Sequence, residues 1–155
     1  MLWEDLKETL IFVNLEAADH TEVLDILGNA LIREGYAGTS YVEALLKREK
    51  EFPTGLDIQG IGVAIPHTDA CYVKKEGIAV ASLIKPISFF QMGEDSIQVP
   101  VSLVFMLAIQ KSDTHLKRLQ GILNIIQDTK ILKQLLNATE GKEIIQIIKE
   151  SEGLF

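Results

Sequence analysis

The sequence predicts an α/β (α+β) three-layer sandwich, a mixed β-sheet flanked by helices on both faces. Three observations lead there. Val99–Ile109, Val-Pro-Val-Ser-Leu-Val-Phe-Met-Leu-Ala-Ile, is almost unbroken apolar sequence, as a central strand covered on both faces requires. Stretches with helical periodicity lie both before and after a block of strand-like runs. No repeat, low-complexity tract or linker divides the 155 residues, so 1–155 reads as a single domain with a substantial core.

Taken in order, Leu10-Ile11-Phe12-Val13 is the first short strand. Asp19 and Glu22 then have capping-box spacing, and Val23, Leu27, Ala30 and Leu31 recur on one helical face. Gly35 is placed to end that helix as its C-terminal cap. Ser40 and Glu43 form a second capping box, opening a helix to about Phe52, where Pro53 and Gly55 stop it. Tyr41, Leu45 and Phe52 are its expected buried side. Three strand-like runs follow, Ile61–Ile65, Ile78–Ile84 and Val99–Ile109, with Phe89-Phe90 as a short edge strand before a Gly93-Glu94-Asp95 turn. From Asp113, a good N-cap, the pattern is helical again. Leu116, Leu119, Leu123 and Ile126 make its stripe, and Ile131–Leu136 and Glu143–Glu150 are two further helices.

Composition narrows the function. A net charge of −7 argues against a general nucleic-acid binder and against docking on acidic membranes. Through residue 60 the chain carries twelve acids and five bases, and beyond it ten of each. This acidic first part suits a basic protein partner, and equally suits helix faces kept soluble by charge. Cys71 is the one cysteine, so no internal disulfide forms, and a reducing compartment is expected. Glu4 and Asp5 stand where a secretory signal would be basic, and the runs Leu10–Val13 and Leu103–Ile109 are far too short to span a bilayer. The expectation is a cytoplasmic protein with no direct membrane insertion.

Gly62-Val63-Ala64-Ile65-Pro66-His67-Thr68-Asp69 organises the chemistry. It reads as a short buried strand that stops at a proline and then presents one histidine. Pro66 cannot donate to a sheet ladder and holds the residue before it extended, so His67 leaves the strand end on a rigid stem. Other chemistries find no support. The third glycine of a dinucleotide loop begun by Gly60-Ile61-Gly62 would fall at Ile65, and no P-loop is present, so no cofactor is expected. His67, Asp69, Cys71 and His115 match no standard zinc spacing, so no metal is expected. A Cys71–His67 nucleophile pair has nothing else beside it. His115 falls in the first turn of the helix opened near Asp113, where unpaired N–H groups and the positive dipole end suit a phosphate anion. His20, at the start of the first helix, reads as structural.

Lys47-Arg48-Glu49-Lys50-Glu51-Phe52-Pro53-Thr54-Gly55-Leu56, followed by Gly62-Val63-Ala64-Ile65-Pro66-His67, resembles the enzyme IIA components of the bacterial sugar phosphotransferase system (PTS), fructose/mannitol class. Helix order, the apolar strand and the His115 helix extend the resemblance over nearly the whole chain. Phe52-Pro53-Thr54-Gly55-Leu56 and the compact length are most similar to the galactitol-type members. The resemblance implies the IIA type-2 fold and a phosphoryl relay. The phosphocarrier HPr passes its phosphoryl group to His67, which passes it to a cysteine of the IIB component, which phosphorylates the sugar during transport by IIC. It further implies Arg48 and His115 as active-site partners of His67, with Thr54 and Glu49 supporting the phosphoryl site. One residue departs from the pattern: Gly62 stands where mannitol-type members carry a glutamate.

The residues support this relay on physical grounds as well. A neutral imidazole attacks through one nitrogen while the other donates a hydrogen bond that fixes tautomer and direction. Arg48 supplies a planar, permanently charged fork for the phosphoryl oxygens. Two readings compete with the transport enzyme. The same fold serves as a regulatory module whose phosphorylation state controls a bound partner, and an interaction domain with incidental histidines is the plainest alternative.

Overall fold

A computed structural model describes residues 2–153. Helix α1 (His20–Arg33) starts where its capping box lies: the Asp19 carboxylate accepts from the Glu22 N–H at 2.9 Å, and the Glu22 carboxylate reaches back to the Ala18 N–H at 3.4 Å. It ends in a Schellman motif. Gly35 sits at φ +83°, Tyr36 N–H donates to the Leu31 carbonyl, and Gly35 N–H donates to that of Ile32. Helix α2 (Tyr41–Glu51) begins at the second expected box, but the Ser40 side chain makes no capping bond. An N-cap side chain works from extended backbone, and Ser40 lies at φ −87°, ψ 0°.

Three more helices complete the chain: α3 (Ser112–Ile126), α4 (Thr129–Asn137) and α5 (Gly141–Gly153). Lys111 occupies the position before α3, so Asp113 lies inside the first turn instead of capping it. Asp128, not anticipated, caps α4 by accepting from the Lys130 and Ile131 N–H groups. Of the expected stripe, Ile126 is buried and Leu119 and Leu123 pack against the same core, which Ile122 and Ile125 also fill, whereas Leu116 is 68% exposed. Phe52 is likewise exposed, at the end of α2. Among the described residues no helix is long and apolar enough to cross a membrane.

Five strands form one mixed sheet. β1 (Ile11–Leu15) runs parallel to β4 (Gly77–Gln91), and β4 runs antiparallel to β5 (Glu94–Ala108). β5 is parallel to β3 (Ile61–Ala64), and β3 is antiparallel to β2 (Gly55–Ile58). β2 returns to meet the far end of β4 at Gly55–Gln91. The run Ile78–Ile84 and the expected Phe89-Phe90 edge strand are therefore one strand. Its ladder slips between Ser82 and Ile87, which accommodates Pro86 where no N–H is needed, and Phe89 is buried opposite Val99. Sequence reading also missed β2. The β2–β3 turn is Gln59-Gly60, both at positive φ (52° and 92°), as a two-residue hairpin turn requires.

The sheet is covered on both faces. Leu24, Leu27 and Leu31 of α1 and Tyr41 and Leu45 of α2 pack with Ala79, Ala81, Val104 and Met106. On the opposite face Ile122 and Ile126 of α3, Leu132 and Leu135 of α4, and Ile144 and Ile148 of α5 pack with Ile78, Val80, Leu103 and Phe105. Alternation along Ile78–Ala81 of β4 and Leu103–Ala108 of β5 sends successive side chains to opposite cores, which builds a three-layer sandwich from a continuous apolar run.

Candidate functional site

The site is built at the end of β3. Pro66 supplies no N–H there, but its carbonyl accepts from the Leu107 N–H at 3.0 Å, and His67 continues beside Leu107 as a single parallel bridge. The Leu107 carbonyl in turn accepts from the buried Tyr41 hydroxyl at 2.8 Å, tying α2 to the same point of β5. The His67 ring is only partly exposed, and its Nδ1 lies 2.9 Å from the Ile65 carbonyl oxygen. A carbonyl can only accept, so Nδ1 carries the proton and the lone pair lies on Nε2. Burial holds the imidazole pKa below the usual histidine value, and the Arg48 charge adds to this against the opposing pulls of the Ile65 carbonyl and Asp69. Burial thus favours the neutral ring, and the Ile65 carbonyl fixes its tautomer with the proton on Nδ1.

Arg48, in the last turns of α2, shares a cleft of about 280 Å³ with His67, Thr68, Asp69 and Lys111. Its guanidinium stacks over the exposed Phe52 ring at 4.4 Å, which restrains the fork without using up its N–H donors. The structure thus brings Arg48 and His67 together across about twenty residues of sequence. Glu49 and Thr54 pair with each other and do not line this cleft. The buried Glu49 carboxylate accepts from the Thr54 N–H and from the Thr54 hydroxyl, each at 2.7 Å. Glu49 faces a separate cavity of about 460 Å³ whose walls include His20, Leu46 and Phe90. His115 lies in the first turn of α3, but its side chain falls outside the described residues. His20 packs its ring against Phe89, with centroids 5.6 Å apart.

Lys111 was missed by sequence reading. Its signal was available in hindsight: a lysine directly before a helix start, in the short link after the strand that runs beside the histidine. Tyr41 was expected on the buried side of its helix, while its hydroxyl contact with Leu107 had no sequence signal. Gly62 admits no side chain at all, because a Cβ there would overlap the Pro100 carbonyl oxygen. Among the described residues no three His, Cys, Asp or Glu side chains cluster as a metal site would require.

A mixed sheet between two helical layers is also the fold of solved phosphotransferase proteins. The mannitol-specific cryptic phosphotransferase enzyme IIA CmtB from Escherichia coli matches it with a TM-score of 0.78 and 25% identity, over 97% of this chain and 99% of that one. In the complex of enzyme IIAMTL and phosphorylated enzyme IIBMTL from Escherichia coli, a chain matches with a TM-score of 0.77 and 24% identity, over 94% of this chain and 97% of that one. In sequence, the PTS system galactitol-specific EIIA component of Escherichia coli strain K12 is 32% identical over 136 residues, 85% of this chain and 89% of that protein. Transcriptional regulator ManR of Bacillus subtilis is 34% identical over 128 residues, 82% of this chain but 18% of the regulator. The profile of the phosphoenolpyruvate-dependent sugar phosphotransferase system EIIA 2 family matches residues 4–151, and the chain belongs to that family.

Proposed function

We propose that this chain is the phosphoryl carrier of a sugar uptake system, with His67 as the residue that carries the group. Nε2 of His67 attacks the phosphorus of phosphohistidine on HPr. The new Nε2–P bond forms as the N–P bond on HPr breaks, and the electron pair of that bond returns to the HPr imidazole. In the onward step a cysteine thiolate of the IIB component attacks the same phosphorus, forming S–P while the Nε2 pair returns to His67. Nδ1 keeps its proton throughout, held by the Ile65 carbonyl. Arg48 and Lys111 neutralise the equatorial oxygens, which carry negative charge in any phosphoryl transfer. His115, at the start of α3, is assigned the same supporting role. No cofactor or metal enters, since the group moves between protein nucleophiles.

The observation that carries this reading is the fixed Nδ1–H donor on His67 within one cleft with Arg48. Exposed Phe52, stacked on Arg48, puts an apolar surface next to that cleft on which a protein partner can seat. Likeness to the galactitol-specific component makes galactitol, or a polyol near it, the sugar to test first, with the membrane IIC permease as the indirect partner. Likeness to part of a transcriptional regulator keeps a phosphorylation-dependent regulatory role as the second reading. Incubation with phosphorylated HPr, read by mass spectrometry, should add one acid-labile phosphoryl group that is absent from His67→Gln. An equal adduct in His67→Gln would overturn the assignment.

A further inference from the structure

We propose that Glu49 is a positioning residue for His67, acting through Thr54 and the Ile65 peptide instead of touching the phosphoryl group. The inference rests on His67 being the phosphoryl acceptor. Four links make the path. Both oxygens of the buried Glu49 carboxylate hold Thr54, one on its N–H and one on its hydroxyl, each at 2.7 Å. The Thr54 carbonyl accepts from the Ile65 N–H at 3.4 Å. The Ile65 carbonyl accepts from His67 Nδ1–H at 2.9 Å. Glu49 is also the next residue after Arg48 on α2, so one helix turn sets the arginine fork and, through this path, the direction of the imidazole.

The geometry has a reason to be built this way. The segment from Pro53 to Gly55 turns the chain from α2 into β2, and Ile65 lies just past the end of β3. Gly55 and Ala64 are the last paired residues of the β2–β3 ladder, and Thr54 and Ile65 lie one step beyond it, so the carboxylate holds Thr54 where the ladder ends and the Thr54 carbonyl holds the Ile65 N–H. Two bonds to an ionised acceptor are stronger than two between neutral groups. Burial raises the Glu49 pKa to about 7, against the hydrogen bonds from Thr54, which lower it. The charged or titratable groups that share its cavity are His20 of α1, Lys50 of α2 and Asp95 of β5. Protonating Glu49 removes the charged acceptor and slackens the path. Loading of His67 should therefore quicken as pH rises through the Glu49 pKa.

The test compares wild type, Glu49→Gln, Thr54→Val and Thr54→Ser, all carrying intact Arg48 and His67. In the unphosphorylated proteins, nitrogen NMR reads the His67 tautomer and Nδ1–H exchange, independently of any transfer. In wild type the Nδ1–H tautomer should dominate, and Glu49→Gln should speed Nδ1–H exchange. Loading from phosphorylated HPr should lose up to about 10²-fold in kcat, the scale of a small misplacement of reacting atoms, with KM for HPr nearly unchanged. The rise of kcat through the pKa of about 7 should vanish in the variant. Thr54→Val should behave like Glu49→Gln, and Thr54→Ser, which keeps both donors, should restore transfer. Unchanged Nδ1–H exchange and unchanged kcat in Glu49→Gln would overturn the proposal, as would a Thr54→Val that transfers like wild type should Glu49→Gln fail to fold. Failure of wild type to load at His67 would instead overturn the carrier assignment, and the NMR result would still decide the positioning path.

Discussion

Arg48 is placed where its charge can serve the cleft without supporting either core. Its guanidinium lies in the His67 cleft and rests on the exposed Phe52 ring at 4.4 Å, outside the two cores of the sheet. Arg48→Ala should slow loading of His67 by about 10²–10³-fold, the usual cost of one lost oxyanion donor. Unfolding free energy should change by less than about 1 kcal/mol, as for a surface site with one stacking contact. Urea melts and single-turnover loading separate the two, and a folded Arg48→Ala that loads at the wild-type rate contradicts the role. His115→Ala should still become phosphorylated at His67 yet discharge to IIB more slowly by a similar factor, read by the decay of phosphohistidine in a quench experiment. The buried titrating groups oppose one another in stability. His67 has its folded pKa depressed, so its share of stability is full above the usual histidine pKa and is lost as pH falls toward the folded value. Glu49 has its folded pKa raised to about 7, so its share is full below the usual 4.5 and is lost as pH rises through 7. Glu49→Gln should accordingly flatten the decline in melting temperature between those two pH values.

Among the elements, the β2–β3 hairpin carries the site and was the one least legible in the sequence. Local signals worked where the physics was local: Asp19 with Glu22 and the Gly35 cap define α1 because each acts within a few residues. Gly55, by contrast, was read as a helix stop, and Gln59-Gly60 lacks the Asn-Gly or Asp-Gly signature, so β2 stayed hidden. The run Ile78–Ile84 and Phe89-Phe90 were read as separate strands, whereas a long antiparallel partner lets β4 carry Lys85-Pro86 between them as an irregularity. The motif residues of the site were legible, but the Glu49–Thr54–Ile65 connections were not, because they exist only once the hairpin folds back on α2. Gly62 marks how tightly β3 lies on β5. Gly62→Glu would drive its Cβ into the Pro100 carbonyl and should cost at least about 1–3 kcal/mol by urea denaturation. A Gly62→Glu protein as stable as wild type contradicts this packing.

For the whole molecule, one sheet separates two cores, and each has its own helices. Leu31 on α1 and Ile148 on α5 are both fully buried, one in each core. Truncating either to alanine should cost about 2–5 kcal/mol. The double variant should equal the sum within about 0.5 kcal/mol, since the sheet keeps them apart. Between these cores β5 ends at Ala108, and Leu107 near that end holds Pro66 by its N–H and Tyr41 by its carbonyl. The stability of the sandwich is thereby converted into the fixed direction of one imidazole, which is the centre of the account. Nitrogen and phosphorus NMR of the protein loaded by phosphorylated HPr tests it most directly. Because Nδ1 is committed to the Ile65 carbonyl, phosphorus should be bonded to Nε2 of His67, with Nδ1 still protonated. Phosphorus on Nδ1 of His67, or on any other residue, would contradict it.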